Sequence, residues 1–178
     1  MSLTQIQSGM IAAIPDASVS TAKIADANIT QAKLAANIAG NGPTFCAYLS
    51  TNQSISTNTW TKIAWNAEEF DTHNAFDSTT NYRFQPQVAG YYQIQGMWEC
   101  NSSATYTYAD LRKNNGSHRV MLTSQGSGVS SPFFGLVYLN GSTDYIDVWA
   151  YVVGGTSPNT IYGSQIYTSI QGFLVRAA

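Results

Sequence analysis

Residues 82–100 read YRFQPQVAGYYQIQGMWEC, and the second half of this stretch alternates, so that Tyr92, Ile94, Gly96 and Trp98 share one face of an extended strand. The same two-residue period recurs on either side. Phe45, Ala47 and Leu49 fall on one face of an early run, and Ile146, Val148, Ala150 and Val152 on one face of a late one. Turn signals separate the runs at Lys113-Asn114-Asn115-Gly116, Asn140-Gly141-Ser142 and Val153-Gly154-Gly155. Eight or so short antiparallel strands from Thr44 onward predict an all-β sandwich or jelly roll.

Two runs are apolar on both faces. In FFGLVYL (133–139), Phe134, Leu136 and Tyr138 oppose Phe133, Val137 and Leu139, and in SIQGFLV (169–175), Ile170 and Leu174 oppose Phe173 and Val175. One face of each strand enters the sandwich core. Antiparallel sheets normally leave the other face polar, so a second apolar face predicts a partner subunit, with Phe133, Val137, Phe173 and Val175 as the candidate contacts.

Composition narrows the possible functions. Charged residues make up only 10% of the chain, against about 25% in an average soluble protein, and Ser, Thr, Asn and Gln supply the polarity instead. A net charge of -2 without a basic run gathers no phosphates, so nucleic acid is not an expected partner. No apolar run reaches the length of a membrane span, and the opening residues MSLTQIQSG lack a secretory pattern. Asn-x-Ser/Thr triplets at Asn28, Asn52, Asn101, Asn115 and Asn140 are read as turn and strand chemistry rather than glycan acceptors. Cys46 and Cys100 are read as buried thiols, with one long-range disulfide as the alternative.

Ahead of the alternating region lies DASVSTAKIADANITQAKLAANIAG (16–40), in which DASVSTAKIA is followed by a second version, DANITQAKLA. Ile14, Val19, Ile24, Ile29 and Leu34 recur every five residues, a period that matches neither helix nor strand. Each unit has too little apolar surface to fold alone, so its burial is expected from other copies wound about a shared axis, with Ile24, Ile29 and Leu34 in the contact. Asn41-Gly42-Pro43 punctuates its end. The predicted division is a shaft over 1–41 and a head over 42–178. These phrases resemble the V-T-T-A-K-I-A-D-G type that recurs in phage tail fibres and related bacterial fibres.

The head resembles a family as well. Phe84, Pro86, Gly90, Tyr92 and Ile94 of YRFQPQVAGYYQI match the signature of the complement C1q and tumour necrosis factor superfamily. LRKNNG (111–116), LNGSTDYIDV (139–148) and IQGFLV (170–175) resemble its later segments in the expected order. The resemblance covers residues 44–178 and implies a homotrimeric ten-strand jelly roll.

Catalytic chemistry finds little support. Glu68, Glu69, Asp71 and Asp77 form the densest acidic cluster, yet AEEFDTHNAFDSTT reads as a solvated loop with nothing to raise one carboxyl pKa. His73 and His118 stand far apart without a ligand motif, so no metal or cofactor is expected. If the strands alternate direction and both termini sit at the shaft end, residues 101–108 (NSSATYTY), 124–131 (SQGSGVSS) and 154–164 (GGTSPNTIYGS) point away from the shaft. Within them Asn101, Tyr106, Tyr108, Ser127, Asn159 and Tyr162 are candidate contacts, because tyrosine rings lie against sugar faces while amides and hydroxyls bond their hydroxyl groups. The four tryptophans, Trp60, Trp65, Trp98 and Trp149, are assigned to the core or an interface. The resulting expectation is the distal tip of a homotrimeric fibre, from a phage tail or a bacterium, joined to the rest of the fibre at its N-terminal side. Its head is expected to bind a glycan on a host or prey cell. The alternatives are a structural trimerisation knob without a ligand and a surface-polysaccharide hydrolase.

Overall fold

The computed structural model describes residues 41–100, 104–124 and 129–178. The decapeptide repeat, with Ile24, Ile29 and Leu34, lies outside the described residues, as do Asn101 and Ser127. The strands are β1 (Thr44–Tyr48), β2 (Gln53–Ile55), β3 (Thr61–Lys62), β4 (Ala67–Asp71), β5 (Phe76–Asp77), β6 (Arg83–Phe84), β7 (Ala89–Cys100), β8 (Ala104–Lys113), β9 (Gly116–Ser124), β10 (Val129–Asn140), β11 (Ile146–Gly154), β12 (Asn159–Ile161) and β13 (Ser169–Ala177). They form two antiparallel sheets. The first runs β10-β7-β13-β1-β4, with β12 and then β2 joining at Cys100; the second runs β5-β6-β11-β8-β9, with β3 beside β11. This is a jelly-roll sandwich.

Period-two alternation supplies its core. Phe45, Ala47 and Leu49, then Tyr92, Ile94 and Trp98, then Ile146, Val148, Ala150 and Val152 all point inward and are buried. Phe45 stacks on Phe84 (ring centroids 4.4 Å apart) and on Phe76 (5.0 Å), and Phe84 meets Tyr92 edge-on at 5.3 Å. Tyr92 satisfies its buried hydroxyl by donating to the Val88 carbonyl at 2.7 Å. Gly90 is required by close approach: a Cβ there would lie 2.5 Å from the Arg176 carbonyl oxygen and 3.1 Å from Ala177 Cα. Both cysteines are buried thiols. Burial, reinforced by a hydrogen bond with Glu69, pushes the Cys46 thiol up to about 11.

The AEEFDTHNAFDSTT segment departs from the loop expected of it. Residues Ala67–Asp71 pair with β1 as the edge strand of the first sheet, and Phe76 enters the core against Phe45. Backbone pairing with a neighbour distant in sequence overrides the polar composition.

Register defines two ends. Thr44 opposite Phe173 and Gly90 opposite Ala177 place the start of β1 and the end of the chain together. Cys100 opposite Val129, Ala104 opposite Gly154 and Tyr106 opposite Ser124 put the strand ends flanking 101–103, 125–128 and 155–158 at the other end. At the terminal end, Asp144 ties the β8–β9 turn to the β10–β11 turn. It pairs with Lys113 (2.7 Å), accepts from Asn114 Nδ2 (2.7 Å) and accepts from the Asn140 N–H (3.1 Å). The Lys113 contact, followed by that of Asn114, holds the Asp144 carboxyl below the usual carboxylate range. A folded pKa below the unfolded value of about 3.9 contributes stability that is complete above that value and disappears as pH falls through the folded one. Between pH 7 and pH 3 the urea midpoint of the wild type is therefore expected to fall more steeply than that of Asp144→Asn. At pH 7 the variant is expected to be less stable by about 1–2 kcal/mol. Equal slopes over that window would show that Asp144 does not carry the effect.

Candidate functional site

Two outward faces concentrate the unusual side chains. On the first sheet, β7 presents Tyr91, Gln93, Gln95 and Met97, β10 presents Pro132, Phe134, Leu136 and Tyr138, and β13 presents Gln171, Phe173 and Val175. Gln95 lies between Phe134 and Gln171, and Gln93 lies between Leu136 and Phe173, so the amides run between an apolar row on β10 and a mixed row on β13. Phe134 is 64% exposed and Leu136 50%. A depression of about 540 Å³ opens here, with Gln93, Gln95, Pro132, Phe134 and Gln171 on its walls.

The structure corrects half of the predicted contact set. Phe173 and Val175 do face outward, whereas Phe133 and Val137 lie in the protomer core. Cross-strand neighbours share a face, and the register sets Phe133 opposite Gly96 and Val137 opposite Tyr92, on the inward side of β7. Gly96 makes room for the ring, since a Cβ there would lie 2.5 Å from Phe133 Cζ. The outward places on β10 belong to Phe134, Leu136 and Tyr138 instead.

The free edge of β10 is covered by side chains of the second sheet. Phe134 N–H donates to Met121 Sδ (3.2 Å), His118 Nε2 lies 3.1 Å from the Leu136 carbonyl oxygen, and Lys113 Nζ donates to the Tyr138 carbonyl (2.8 Å). These groups occupy the backbone positions that another strand would use. The outer face of the first sheet thus stays open while this edge of β10 is closed.

The second sheet is aromatic outside. Tyr106 and Tyr108, expected in a terminal loop, lie on β8 because that strand continues its pairing with β11 as far as Ala104. Tyr108 is opposite Tyr151 on β11 and Leu122 on β9, and Trp60 adjoins Tyr151 at the start of β3. Ring centroids are 5.0 Å apart for Trp60–Tyr151, 5.9 Å for Tyr108–Tyr151 and 6.4 Å for Trp60–Tyr108. Of the four tryptophans, Trp65 and Trp98 are core residues, while Trp60 and Trp149 are half-buried on this outer face.

The remaining predicted contacts do not gather at one place. Asn159 is buried in β12, where its Nδ2 donates to Thr57 Oγ1 at 3.1 Å, so it belongs to the scaffold at that end of the sandwich. Tyr162 is half-buried, packed 6.0 Å from Tyr167. Each acidic candidate shapes its own surroundings. Asp71 accepts from the His73 and Phe76 N–H groups, and Glu69 accepts from Gln165. Asp77 accepts from the N–H groups of Thr79, Thr80 and Asn81, which hold its carboxyl well below the usual range. His73 bonds Thr72 Oγ1 (2.8 Å). Among the described residues no three His, Cys, Asp or Glu side chains are placed to share a metal ion. Asn52 and Asn140 do turn chemistry: Asn52 Oδ1 accepts from Gly163 N–H (2.8 Å), and Asn140 Oδ1 accepts from the N–H groups of Ser142, Thr143 and Asp144.

The sequence matches no protein-family model, and no curated protein matches it. Similarity appears in solved structures. Murine APRIL at pH 8.5 superposes with a TM-score of 0.58 at 12% identity, over 75% of this chain and 98% of that one. The globular domain of zebrafish complement 1qA gives 0.51 at 16% identity, over 76% and 99%, and Eiger TNF from S. frugiperda gives 0.53 at 12%, over 76% and 92%. With its element order and two antiparallel sheets, the chain has the C1q/TNF-like jelly-roll fold.

Proposed function

We propose that the domain is the head of a homotrimeric fibre tip, of the phage tail-fibre kind, that binds a cell-surface glycan. The observation that carries the assembly is the outer face of the first sheet, where Phe134, Leu136 and Tyr138 on β10 and Phe173 and Val175 on β13 are exposed on either side of β7. An apolar patch of this extent on a protomer is characteristic of a protein interface. The resemblance of the head motifs to C1q/TNF domains supports three copies about one axis, and the preceding repeat supports a fibre. Glycan binding is supported by half-exposed tyrosine and tryptophan rings on a protein poor in charge. Three modest sites on one axis gain avidity against a densely glycosylated envelope without any site being strong.

Sedimentation of the full chain is expected to give three times the protomer mass of 19.3 kDa. On a printed glycan array the trimer is expected to retain a restricted set of glycans. A stable monomer at micromolar concentration would refute the assembly. A trimer that retains no glycan would leave a structural knob, and release of reducing sugar from envelope polysaccharide would make the protein a hydrolase.

A further inference from the structure

We infer that Trp60, Tyr151 and Tyr108, on the outer face of the second sheet, form a platform for a neutral pyranose, and that the head holds its glycan here and not at the loop tips. The inference rests on the glycan-binding reading and specifies its location and the charge of its ligand. Tyr108 and Tyr151 are cross-strand partners on β8 and β11 and Trp60 immediately precedes β3, so the three rings gather in a compact cluster with centroids 5.0–6.4 Å apart, inclined to one another by 44–78°. A cluster of this size offers its exposed ring faces and edges to a single pyranose. Aromatic faces take the C–H side of a pyranose, and the tyrosine hydroxyls supply donors and acceptors for its hydroxyl groups.

Ion-paired side chains brace the cluster at Trp60. The Arg112 guanidinium lies 4.3 Å from the Trp149 ring centre and 5.3 Å from that of Trp60, and its Nε pairs with Asp110 at 2.7 Å. Trp149 Nε1 donates to Asp147 Oδ1 (3.0 Å), and Lys62 pairs with Asp147 at 2.6 Å. Asp110 and Asp147 are 0% and 1% exposed although they sit on the solvent side of a sheet. Buried ion pairs stabilise a fold less than apolar packing of the same volume. What these pairs do achieve is to fix Arg112 against Trp60 and Trp149, so that less side-chain freedom is lost there on binding.

The charges also select the ligand. Arg112 and Lys62 are each matched by a carboxylate, leaving no unmatched cation in the cluster to attract a sulfated or sialylated glycan. A neutral sugar is the occupant that costs least in desolvation.

The test uses the full chain on an array carrying neutral, sulfated and sialylated oligosaccharides, with Trp60→Ala, Tyr151→Ala and the loop control Tyr162→Ala. Each protein is first checked by sedimentation and thermal melting. The wild type is expected to retain neutral glycans, the two platform variants to lose about tenfold in affinity, and Tyr162→Ala to bind as the wild type does. Trp60→Tyr keeps a ring and is expected to retain most binding, which separates the platform from a general packing defect. If the wild type binds no glycan, the glycan reading itself fails. If it binds and the platform variants match it, the platform is overturned while that reading stands. Retention of anionic glycans alone would overturn the neutral ligand.

Discussion

Replacing Phe133 with alanine is expected to destabilise the head by about 3–5 kcal/mol, the range for deleting a fully buried phenylalanine ring from a core that cannot collapse around the gap. Phe133 is 1% exposed, lies 6.1 Å from the Trp65 ring and fills the space above Gly96. Its neighbour Phe134 is the control. With most of its surface outside the protomer, Phe134→Ala is expected to leave the stability of a single head within about 0.5 kcal/mol. Urea unfolding at matched protein concentrations measures both, matching being necessary because assembly adds a concentration-dependent term. Should Phe134→Ala prove the more damaging to the isolated head, the register of β10 on β7 would be wrong by one residue, since a slip of one exchanges every inward and outward side chain.

The second large effect concerns assembly. The double variant Phe134→Asp, Phe173→Asp is expected to sediment as a monomer with an unchanged far-UV circular dichroism spectrum. Both side chains project from the outer face of the first sheet, so the protomer tolerates charge there. In a closed trimer the same carboxylates would be buried without partners, at several kcal/mol each. About 4 kcal/mol already weakens association a thousandfold. A trimer that survives this change would move the interface elsewhere and remove the main support for the proposed assembly. Because β10's edge is capped by Met121, His118 and Lys113, pairing through that edge is not an available substitute.

Much of the fold was legible because a half-buried strand writes its inward face into every second residue. Tyr92, Ile94 and Trp98, or Ile146, Val148, Ala150 and Val152, could be placed inside by counting alone. The count fails where both faces are apolar. In FFGLVYL the period shows that Phe133 and Val137 travel together and oppose Phe134 and Leu136, and it contains nothing to say which pair faces the core. That decision came from a partner distant in sequence, through Phe133 opposite Gly96.

The candidate site was less legible for a related reason. Tyr106 and Tyr108 read as loop residues because NSSATYTY is rich in small, hydroxyl and amide groups, although the alternation of Tyr106 and Tyr108 with Thr107 and Ala109 carries a strand signal. Trp60 and Tyr151 are ninety-one positions apart, and only the pairing of β3 with β11 makes them neighbours. Asn159, polar and in a Gly- and Ser-rich stretch, is buried because β12 is paired on both sides, by β2 and β7.

By itself the sequence determined that residues 44–178 form an antiparallel β sandwich and which residues share a face within each strand. Those are local properties, set by side-chain alternation and backbone preference over a few residues. The tertiary structure alone decided which of two apolar faces is buried, that β10's edge is closed, and that the rings of Trp60, Tyr108 and Tyr151 meet in one cluster. Each of these depends on register between segments far apart in the chain, and no local period encodes that register.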